Sequence, residues 1–337
     1  MSATRFRALG VCLIALLGML LSSGCDRGAS SGSSSSTRAS ASGKVKIGFA
    51  NIAEDFPFAV RVREGIERAA KENGNIDLVV MNNHLDGQTA LSNADTMLVQ
   101  GVQGVIEFQT DEQFGKAIMA KFNAEKIPVV AIDIPMEGAT FFGVNNTLAG
   151  KMAGEGLGKW IKANWNGQVD ALIMLELPQS GPVPAARMQG QRDGLESVVG
   201  KLDESKVKHL DSKNTLDEAN RLVKDVLTTL PDAHHIAIVC INDDTAMGSI
   251  AAAESLSRKK DIAVVAVDGS DRGQQEVRKP GSPMVGTVAS FPEKYGEKII
   301  PVLLKRMKGE EVPKEVFTDH VFLTKDTVDK YYPPAAK

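Results

Sequence analysis

The sequence has 337 residues, of which 43% are hydrophobic and 24% are charged, and its formal net charge is −3. This composition is ordinary for a globular chain, and the length is sufficient for two domains. The sequence has no excess of basic residues, so nucleic acid is not the expected partner.

The first residues predict a secretory signal peptide over residues 1–24. Two arginines precede an apolar run from Ala8 to Leu21 that is too short for a membrane-spanning helix. The run ends in LLSSGC, which is similar to a bacterial lipobox, although Ser22 stands where a leucine is usual. We therefore expect Cys25 to be lipidated. An ordinary signal peptide with an incidental cysteine is the alternative.

Residues 25–43 predict a flexible tether between this lipid anchor and a globular body. Their content of serine, glycine and alanine is too high for a hydrophobic core to form. Asp26, directly after the cysteine, is similar to the inner-membrane retention signal of Gram-negative lipoproteins. The sequence thus predicts a lipid-anchored protein of the periplasm or cell envelope, held at the inner membrane if the cell is Gram-negative.

From Lys44 onward, short predicted strands alternate with longer predicted helices. Apolar runs predict the strands, and apolar residues at helical spacing predict the helices. The predicted strands are Val45–Asn51, Ile76–Asn82, Gly104–Gln109, Pro128–Asp133, Val169–Leu175, Ile236–Asn242, Ile262–Asp268 and Met284–Ser290. The predicted helices are Phe58–Lys71, Leu91–Val99, Leu148–Ile161, Leu216–Leu227 and Glu293–Met307, with another that begins near Pro184.

This alternation predicts an α/β fold with parallel sheets. Because about four strand–helix units lie on either side of Asn145, two sheets are favoured over one very large sheet. Polar and aromatic residues follow most of the predicted strands. Ligands of open α/β sheets bind at the carboxyl ends of the strands. We therefore expect a polar cleft between two sheets.

The first candidates in chain order are Phe56 and Phe58, which flank Pro57 just before a helix. Aromatic residues make up only 5% of the chain. The pair either forms a hydrophobic staple onto the helix or presents an apolar plate to the face of a ligand ring.

Charged candidates follow further along the chain. Asp133 and Asp268 each close an apolar strand, where a carboxylate can accept hydrogen bonds from vicinal hydroxyls of a ligand. An Asx turn is the alternative for Asp268. Arg187 is expected in the first turn of a helix, where a cation opposes the helix dipole, and this misfit indicates a role in binding. Arg192 is the alternative by spacing.

The stretch Asn242–Asp244 follows another apolar strand. We expect Asp243 and Asp244 to cap the next helix. Asn242 is expected to contact a ligand, because an amide offers both hydrogen-bond donors and an acceptor.

Motifs for catalysis and for metal binding are absent from the sequence. No G-x-S-x-G, H-E-x-x-H or Walker motif occurs, and none of the five histidines has metal-ligand spacing with a second ligand type. The catalytic alternative is a glycosidase in which Asp133 and Asp268 form the catalytic pair. Two carboxylates in a cleft, however, more often accept hydrogen bonds from ligand hydroxyls. The sequence predicts a binding protein without metal or cofactor, and not an enzyme.

Seven segments, in this order, resemble the ribose-binding-protein family of periplasmic solute receptors, which shares its fold with the ligand domains of lactose-type repressors. The segments are FPFAVRVREGIERAA, VVAID, GVNNTLAGKMAGEGL, AARMQGQRDGL, VCINDDTAMGSIAAA, VVAVDGS and GTVASFPEKYGEKI. The resemblance covers residues 44–330. It implies the type I periplasmic binding protein fold, in which two Rossmann-like lobes with parallel sheets are joined by a three-segment hinge. A signal peptide in place of an N-terminal helix-turn-helix excludes the repressor branch.

The resemblance also implies where the lobes begin and end. The N-terminal lobe would comprise residues 44–144 and 291–320, and the C-terminal lobe residues 145–290 and 321–333. The expected crossovers lie near Val144–Asn145, Ser290–Phe291 and His320–Thr324.

Position by position, the resemblance implies ring stacking for Phe58 and ligand contacts for Asp133, Arg187, Asn242 and Asp268. Other positions differ from those of ribose binders: Phe56 replaces an asparagine, Ala59 a phenylalanine, Ile134 an arginine, Asn214 a phenylalanine and Ser290 a glutamine. Phe56, Asn214 and Ser290 are nevertheless retained as candidate ligand contacts. The changes point away from ribose itself but keep the sugar class.

The implied function is capture of a monosaccharide by hinge closure, followed by delivery to an ABC permease. The protein would act as a monomeric solute-binding lipoprotein. The alternative is a receptor for another small polar ligand, such as a cyclitol, a signalling furanose or a nucleoside, which would serve a chemosensor in place of a permease.

Overall fold

The computed structural model describes residues 43–109 and 111–334. The predicted signal peptide, Cys25 and all but the last residue of the predicted tether lie outside the described residues. Within these residues, none of the helices combines the length and the apolar character that a membrane span needs.

The strands and helices alternate along the chain. The strands are β1 (Val45–Asn51), β2 (Ile76–Asn82), β3 (Gly104–Glu107), β4 (Val129–Ile132), β5 (Thr140–Gly143), β6 (Ala171–Glu176), β7 (Val207–Asp211), β8 (Ile236–Cys240), β9 (Ile262–Asp268), β10 (Met284–Ala289), β11 (Glu315–Phe317) and β12 (Val321–Leu323). The helices are α1 (Pro57–Asn73), α2 (Gly87–Val99), α3 (Glu112–Ala124), α4 (Asn146–Trp165), α5 (Pro182–Val199), α6 (Leu216–Thr229), α7 (Asp243–Ser255), α8 (Asp271–Arg278), α9 (Tyr295–Met307) and α10 (Val328–Tyr331).

The strands form two six-stranded sheets. The first sheet has the order β11-β5-β4-β3-β1-β2, and the second has the order β12-β10-β9-β8-β6-β7. The strand pairs are parallel except β10 with β12, which is antiparallel. Each sheet carries a buried apolar cluster on either face, as a parallel sheet covered by helices requires. The predicted fold class, with two Rossmann-like lobes, is confirmed.

The described chain passes between the sheets at three places. β5 of the first sheet leads to α4 on the second, β10 of the second leads to α9, which packs on α1, and β11 of the first leads to β12 of the second. The three passages are hydrogen-bonded to each other. The Asn145 N–H donates to His320 Nε2 at 3.0 Å, the Thr318 N–H donates to the Gly143 carbonyl at 3.0 Å, and Thr318 Oγ1 donates to the Ser290 carbonyl. These passages form the hinge.

Several elements were missed or misplaced by the sequence prediction. Helix α2 begins at Gly87 and not at Leu91, because the Asp86 side chain accepts a hydrogen bond from the Thr89 N–H and caps the helix there. The missed elements are β5, β7, β11, β12, α3, α8 and α10. Strands β7, β11 and β12 are sheet edges, whose partly exposed side chains do not form the continuous apolar run of a central strand.

Candidate functional site

The carboxyl ends of strands from both sheets face one cleft. Its lining residues are Ile52, Phe56, Phe58, Phe108, Gln109, Asp133, Ile134, Leu177, Ser180, Pro184, Arg187, Asn214, Ile241, Asn242 and Asp268. A ligand in this cleft would contact both lobes at once.

Most of the predicted ligand-binding residues lie in this one cleft. Seven of the eight line it, namely Phe56, Phe58, Asp133, Arg187, Asn214, Asn242 and Asp268. Ser290 does not. It is fully buried in the hinge, where its Oγ lies 3.4 Å from the Asp268 carbonyl oxygen.

Two buried charged residues, Arg187 and Asp268, and the half-buried Asp133 converge on the cleft. The Arg187 side chain is anchored from behind, since its Nε donates to Asn146 Oδ1 at 2.9 Å and its Nη1 donates to the Ile241 carbonyl at 2.6 Å. Arg187 Nη1 lies 3.9 Å from Asp268 Oδ1. One Asp133 oxygen accepts a hydrogen bond from the Val144 N–H at 3.1 Å. The guanidinium is therefore fixed in place beside two carboxylates.

The two carboxylates are short of partners. Within the described part of the chain, the Asp268 side chain accepts no hydrogen bond, so the Asx turn considered for it does not form. Burial raises the pKa of Asp133 to about 6, against the opposing pull of Arg187. Burial, reinforced by the nearby charge of Asp243, raises the pKa of Asp268 well above its usual range. Hydroxyl donors from a ligand would relieve both carboxylates.

The two aspartates also share an unusual backbone conformation. The φ angle is +57° at Asp133 and +145° at Asp268, and a positive φ is uncommon for residues other than glycine. Such conformations cost of order 1–3 kcal/mol and concentrate at ligand sites.

Arg187 is not in the first turn of its helix, as the sequence analysis expected. Helix α5 begins at Pro182, so Arg187 lies in the second turn, and the argument from the helix dipole was wrong. Its position depends instead on close packing of α5 on α4. A Cβ atom on Gly150 of α4 would lie 2.1 Å from the Arg187 carbonyl oxygen, so the small residue at this position holds Arg187 at its present depth. The alternative, Arg192, is paired with Glu196 and Glu204.

Asn242, and not the aspartates after it, caps helix α7. Asn242 Oδ1 accepts a hydrogen bond from the Thr245 N–H at 2.9 Å and so completes a capping box. Its Nδ2 donates to Asn214 Oδ1 at 2.6 Å on the cleft wall. One side chain therefore serves both the fold and the cleft, and its second Nδ2 hydrogen and the Asn214 Nδ2 group remain available to a ligand.

Asp243 and Asp244 have other roles than the predicted capping. Asp243 is buried, and its carboxylate accepts hydrogen bonds from the N–H and the Oγ of Ser270 at 2.7 and 2.8 Å and from Thr287 Oγ1 at 2.6 Å. Asp243 thereby fixes the loop that follows Asp268. The Asp244 carboxylate pairs with Arg272 at 2.9 Å.

Aromatic side chains form one wall of the cleft. The ring centroids of Phe56 and Phe58 are 6.3 Å apart, and those of Phe58 and Phe108 are also 6.3 Å apart. Phe56 is the N-cap residue of α1, which is not the position from which a hydrophobic staple is made. The plate interpretation therefore fits the geometry better than the staple.

Several residues that line the cleft were not predicted from the sequence as ligand contacts. Gln109 is the most polar of them, and only 2% of its surface is exposed. Its Oε1 accepts a hydrogen bond from the Asp111 N–H, whereas its Nε2 has no partner among the described residues. The sequence feature that could have identified Gln109 is its position at the end of a predicted buried strand, which it shares with Asp133.

Metal chemistry has no support in the described part of the chain. No group of three or more histidine, cysteine, aspartate or glutamate side chains is placed there to hold an ion.

Comparison with known proteins agrees with the fold and with the cleft. The periplasmic binding protein domain family matches residues 47–311. The chain belongs to this family. Its members are ligand-binding proteins and not enzymes, in agreement with the prediction from the missing catalytic motifs. The resemblance to the ribose-binding-protein family is likewise confirmed.

Among the relatives is the ribose import binding protein of Haemophilus influenzae, which is 28% identical over 287 residues, or 83% of this chain and 91% of the relative. The protein of the same name from Salmonella typhimurium is 27% identical over 259 residues, or 76% and 82% of the two chains. A solved solute-binding protein of an ABC transporter from Actinobacillus succinogenes, with bound D-allose, has a TM-score of 0.72 at 20% identity and covers 86% of this chain and 100% of its own. This last likeness is one of fold.

Proposed function

We propose that this protein captures a monosaccharide, or a polyol of similar size, between its two lobes and delivers it to an ABC permease. The observation that carries the proposal is the convergence of Asp133, Arg187, Asn242 and Asp268 on one cleft. A sugar presents several hydroxyls, each of which can donate and accept a hydrogen bond, to such a mixture of groups.

The unused hydrogen-bonding capacity of the cleft supports this ligand class. Arg187 Nη2 has no partner among the described residues, and neither has the Asp268 carboxylate apart from Arg187 itself. Hydrogen bonds between hydroxyls and charged groups are stronger than neutral ones. Several such bonds are expected to give a Kd of about 1 μM, which corresponds to a binding free energy of about 8 kcal/mol.

The proposed mechanism is closure of the two lobes about the hinge. The N-terminal lobe would comprise residues 44–144 and 291–320, and the C-terminal lobe residues 145–290 and 321–333. The ligand would bind one lobe of an open form and gain its remaining hydrogen bonds on closure. The ion pair between Arg61 Nη2 of α1 and Asp271 Oδ2 of α8, at 2.5 Å, joins helices of the two lobes. It supports the described conformation as the closed one.

The names of the relatives add support, since two of them are ribose import binding proteins. Ile134 and Phe56 stand where ribose binders carry an arginine and an asparagine, which argues for a ligand other than ribose. The lipid anchor at Cys25, the monomeric state and the permease as partner belong to the same proposal.

A thermal-shift screen of the mature protein against pentoses, hexoses, inositols and nucleosides tests this function, with calorimetry on each hit. We expect a sugar or a sugar-derived polyol to raise the melting temperature and to bind with a Kd in the micromolar range or below. Binding confined to inositols or nucleosides would favour the alternative receptor function. No shift with any compound, or turnover of a sugar, would contradict the proposal.

A further inference from the structure

The side of the cleft formed by the first sheet contains a contiguous apolar patch, made of Ile52, Phe108 and Ile134. Ile52 follows β1, Phe108 follows β3 and Ile134 lies just beyond β4, and these three strands are neighbours in the sheet. All three side chains line the cleft, and each is at most 5% exposed. The patch is therefore continuous across adjacent strand ends.

The backbone N–H and carbonyl groups of Ile52 and Phe108 are already hydrogen-bonded within the protein. The Ile52 N–H donates to Asn51 Oδ1 at 3.1 Å, and its carbonyl accepts from the Leu85 N–H at 2.9 Å. The Phe108 N–H donates to the Ala50 carbonyl, and the Phe108 carbonyl accepts from Asn83 Nδ2, both at 2.9 Å. A ligand hydroxyl directed at these two residues would find no side-chain partner and no backbone group that is not already hydrogen-bonded within the protein.

The side formed by the second sheet is more polar, although Leu177, Pro184 and Ile241 also line it. There, Arg187, Asn214, Asn242 and Asp268 all line the cleft with polar groups. On the first-sheet side, polar lining is limited to Asp133 and to Gln109, whose buried Nε2 lacks a partner among the described residues. The ligand that fits such a cleft is polar along one edge and apolar along the other.

We propose that the ligand is a deoxy sugar or deoxy polyol, whose hydroxyls face the second lobe and whose methyl or methylene carbon faces Ile52, Phe108 and Ile134. This inference rests on the proposed function and narrows its ligand class. A hydroxyl in place of that hydrogen would be buried without a partner and would lose its hydrogen bonds to water. The penalty corresponds to roughly a 10- to 100-fold loss of affinity.

The test is calorimetric titration with pairs of sugars that differ in one hydroxyl. Suitable pairs are D-galactose with D-fucose, L-mannose with L-rhamnose, L-galactose with L-fucose, and D-ribose with 5-deoxy-D-ribose. We expect the deoxy member of the best-binding pair to bind about 10- to 100-fold more tightly. If sugars bind but each hydroxylated member binds as tightly as its deoxy partner or more so, the proposed function stands and this inference is wrong. If no compound binds, both fall.

Two variants that are nearly isosteric with each other test whether the preference for the deoxy sugar arises at the patch. Ile134→Thr adds a hydroxyl that can pair with the ligand hydroxyl, and Ile134→Val has the same shape without it. We expect Ile134→Thr to reduce the preference for the deoxy member at least several-fold and Ile134→Val to keep it. Ile52→Thr and Ile52→Val repeat the comparison if the first pair does not fold. Equal preferences in the threonine and valine variants at both positions would show that the patch does not select the ligand.

Discussion

The two sides of the cleft differ in what they can offer a ligand. The side from the second sheet presents Arg187, Asn242 and Asp268, with charged and amide groups that are only partly paired. The side from the first sheet presents aromatic and aliphatic surface, and Asp133 is its one carboxylate. The difference assigns affinity mainly to the second-lobe side, through charge-assisted hydrogen bonds, and selection among similar ligands mainly to the first-lobe side.

The largest effect is expected from Arg187→Met, which removes the cation between Asp133 and Asp268. Breaking a buried pair costs about 3–5 kcal/mol because a charge is left without its partner, so calorimetry should detect no binding at ligand concentrations that saturate the wild type. The matched control is Arg192→Met on the same helix, where the guanidinium pairs with Glu196 and Glu204 away from the cleft. Loss of binding in both variants, or in neither, would contradict the division between the two sides.

Asp268→Asn is expected to weaken binding by about 10- to 100-fold, because an amide of the same shape cannot accept two charge-assisted hydrogen bonds. Asp244→Asn is the control, since Asp244 pairs with Arg272 at 2.9 Å and does not line the cleft. Wild-type affinity in Asp268→Asn would remove this carboxylate from the site.

A third variant tests whether the second-lobe side depends on helix packing. In Gly150→Ala, the new Cβ would lie 2.1 Å from the Arg187 carbonyl oxygen, so α4 and α5 must separate. We expect the free energy of unfolding to fall by about 1–3 kcal/mol, as for other overpacked sites, and ligand affinity to fall with it. Lys151→Ala, at the exposed neighbouring position, should change neither quantity in denaturation and titration experiments. An unchanged stability in Gly150→Ala would refute the packing argument.

The pH dependence distinguishes Asp133, which lines the cleft, from the buried carboxyl groups of Asp243 and Glu107, which do not. Burial raises the pKa of Asp133 and Asp243 to about 6 and that of Glu107 to about 8. A carboxyl group with a raised pKa stabilises the fold fully below its unfolded pKa near 4, and this contribution is lost as the pH rises through the folded value. The melting temperature of the ligand-free protein should therefore fall between pH 5 and pH 8.

Ligand affinity should change in the opposite direction, because hydroxyls donate best to an ionised Asp133, and should rise from pH 5 to pH 7. Glu107→Gln should reduce the melting-temperature decline above pH 7 and leave the pH dependence of affinity unchanged. Thermal denaturation and titration across this range measure both. An affinity that falls from pH 5 to pH 7 would contradict the assignment of Asp133.

The smallest effect is expected at the ion pair between the lobes. Arg61 and Asp271 are 43% and 47% exposed at their side chains, and exposed pairs contribute about 0.2–1 kcal/mol. Arg61→Ala should therefore weaken binding less than about six-fold, and the loss should shrink at high salt. A double-mutant cycle with Asp271→Ala measures the coupling. A loss as large as that of Arg187→Met would mean that closure depends on this pair more than on the ligand.

Much of the fold follows from patterns in the sequence. The buried parallel strand Ile262–Asp268 is a continuous apolar run up to its final aspartate, and its bounds were predicted correctly, as were those of Val45–Asn51. The edge strand Val207–Asp211 was missed because its side chains are partly exposed. In the cleft, residues directly after buried strands could be located, as Asp133 and Asn242 were. The roles of Asp243 and Ser290 could not, because they depend on partners distant in sequence, Thr287 and Thr318. The lobe boundaries and ligand contacts remain predictions.

The most direct test of the central claim is a crystal structure of the protein with the tightest ligand from the screen. We predict that the ligand lies between the lobes, within hydrogen-bonding distance of Asp133, Arg187, Asn242 and Asp268, with its least hydroxylated edge towards Ile52, Phe108 and Ile134. A ligand bound elsewhere on the surface, or in the cleft without contact to those four polar side chains, would contradict the account.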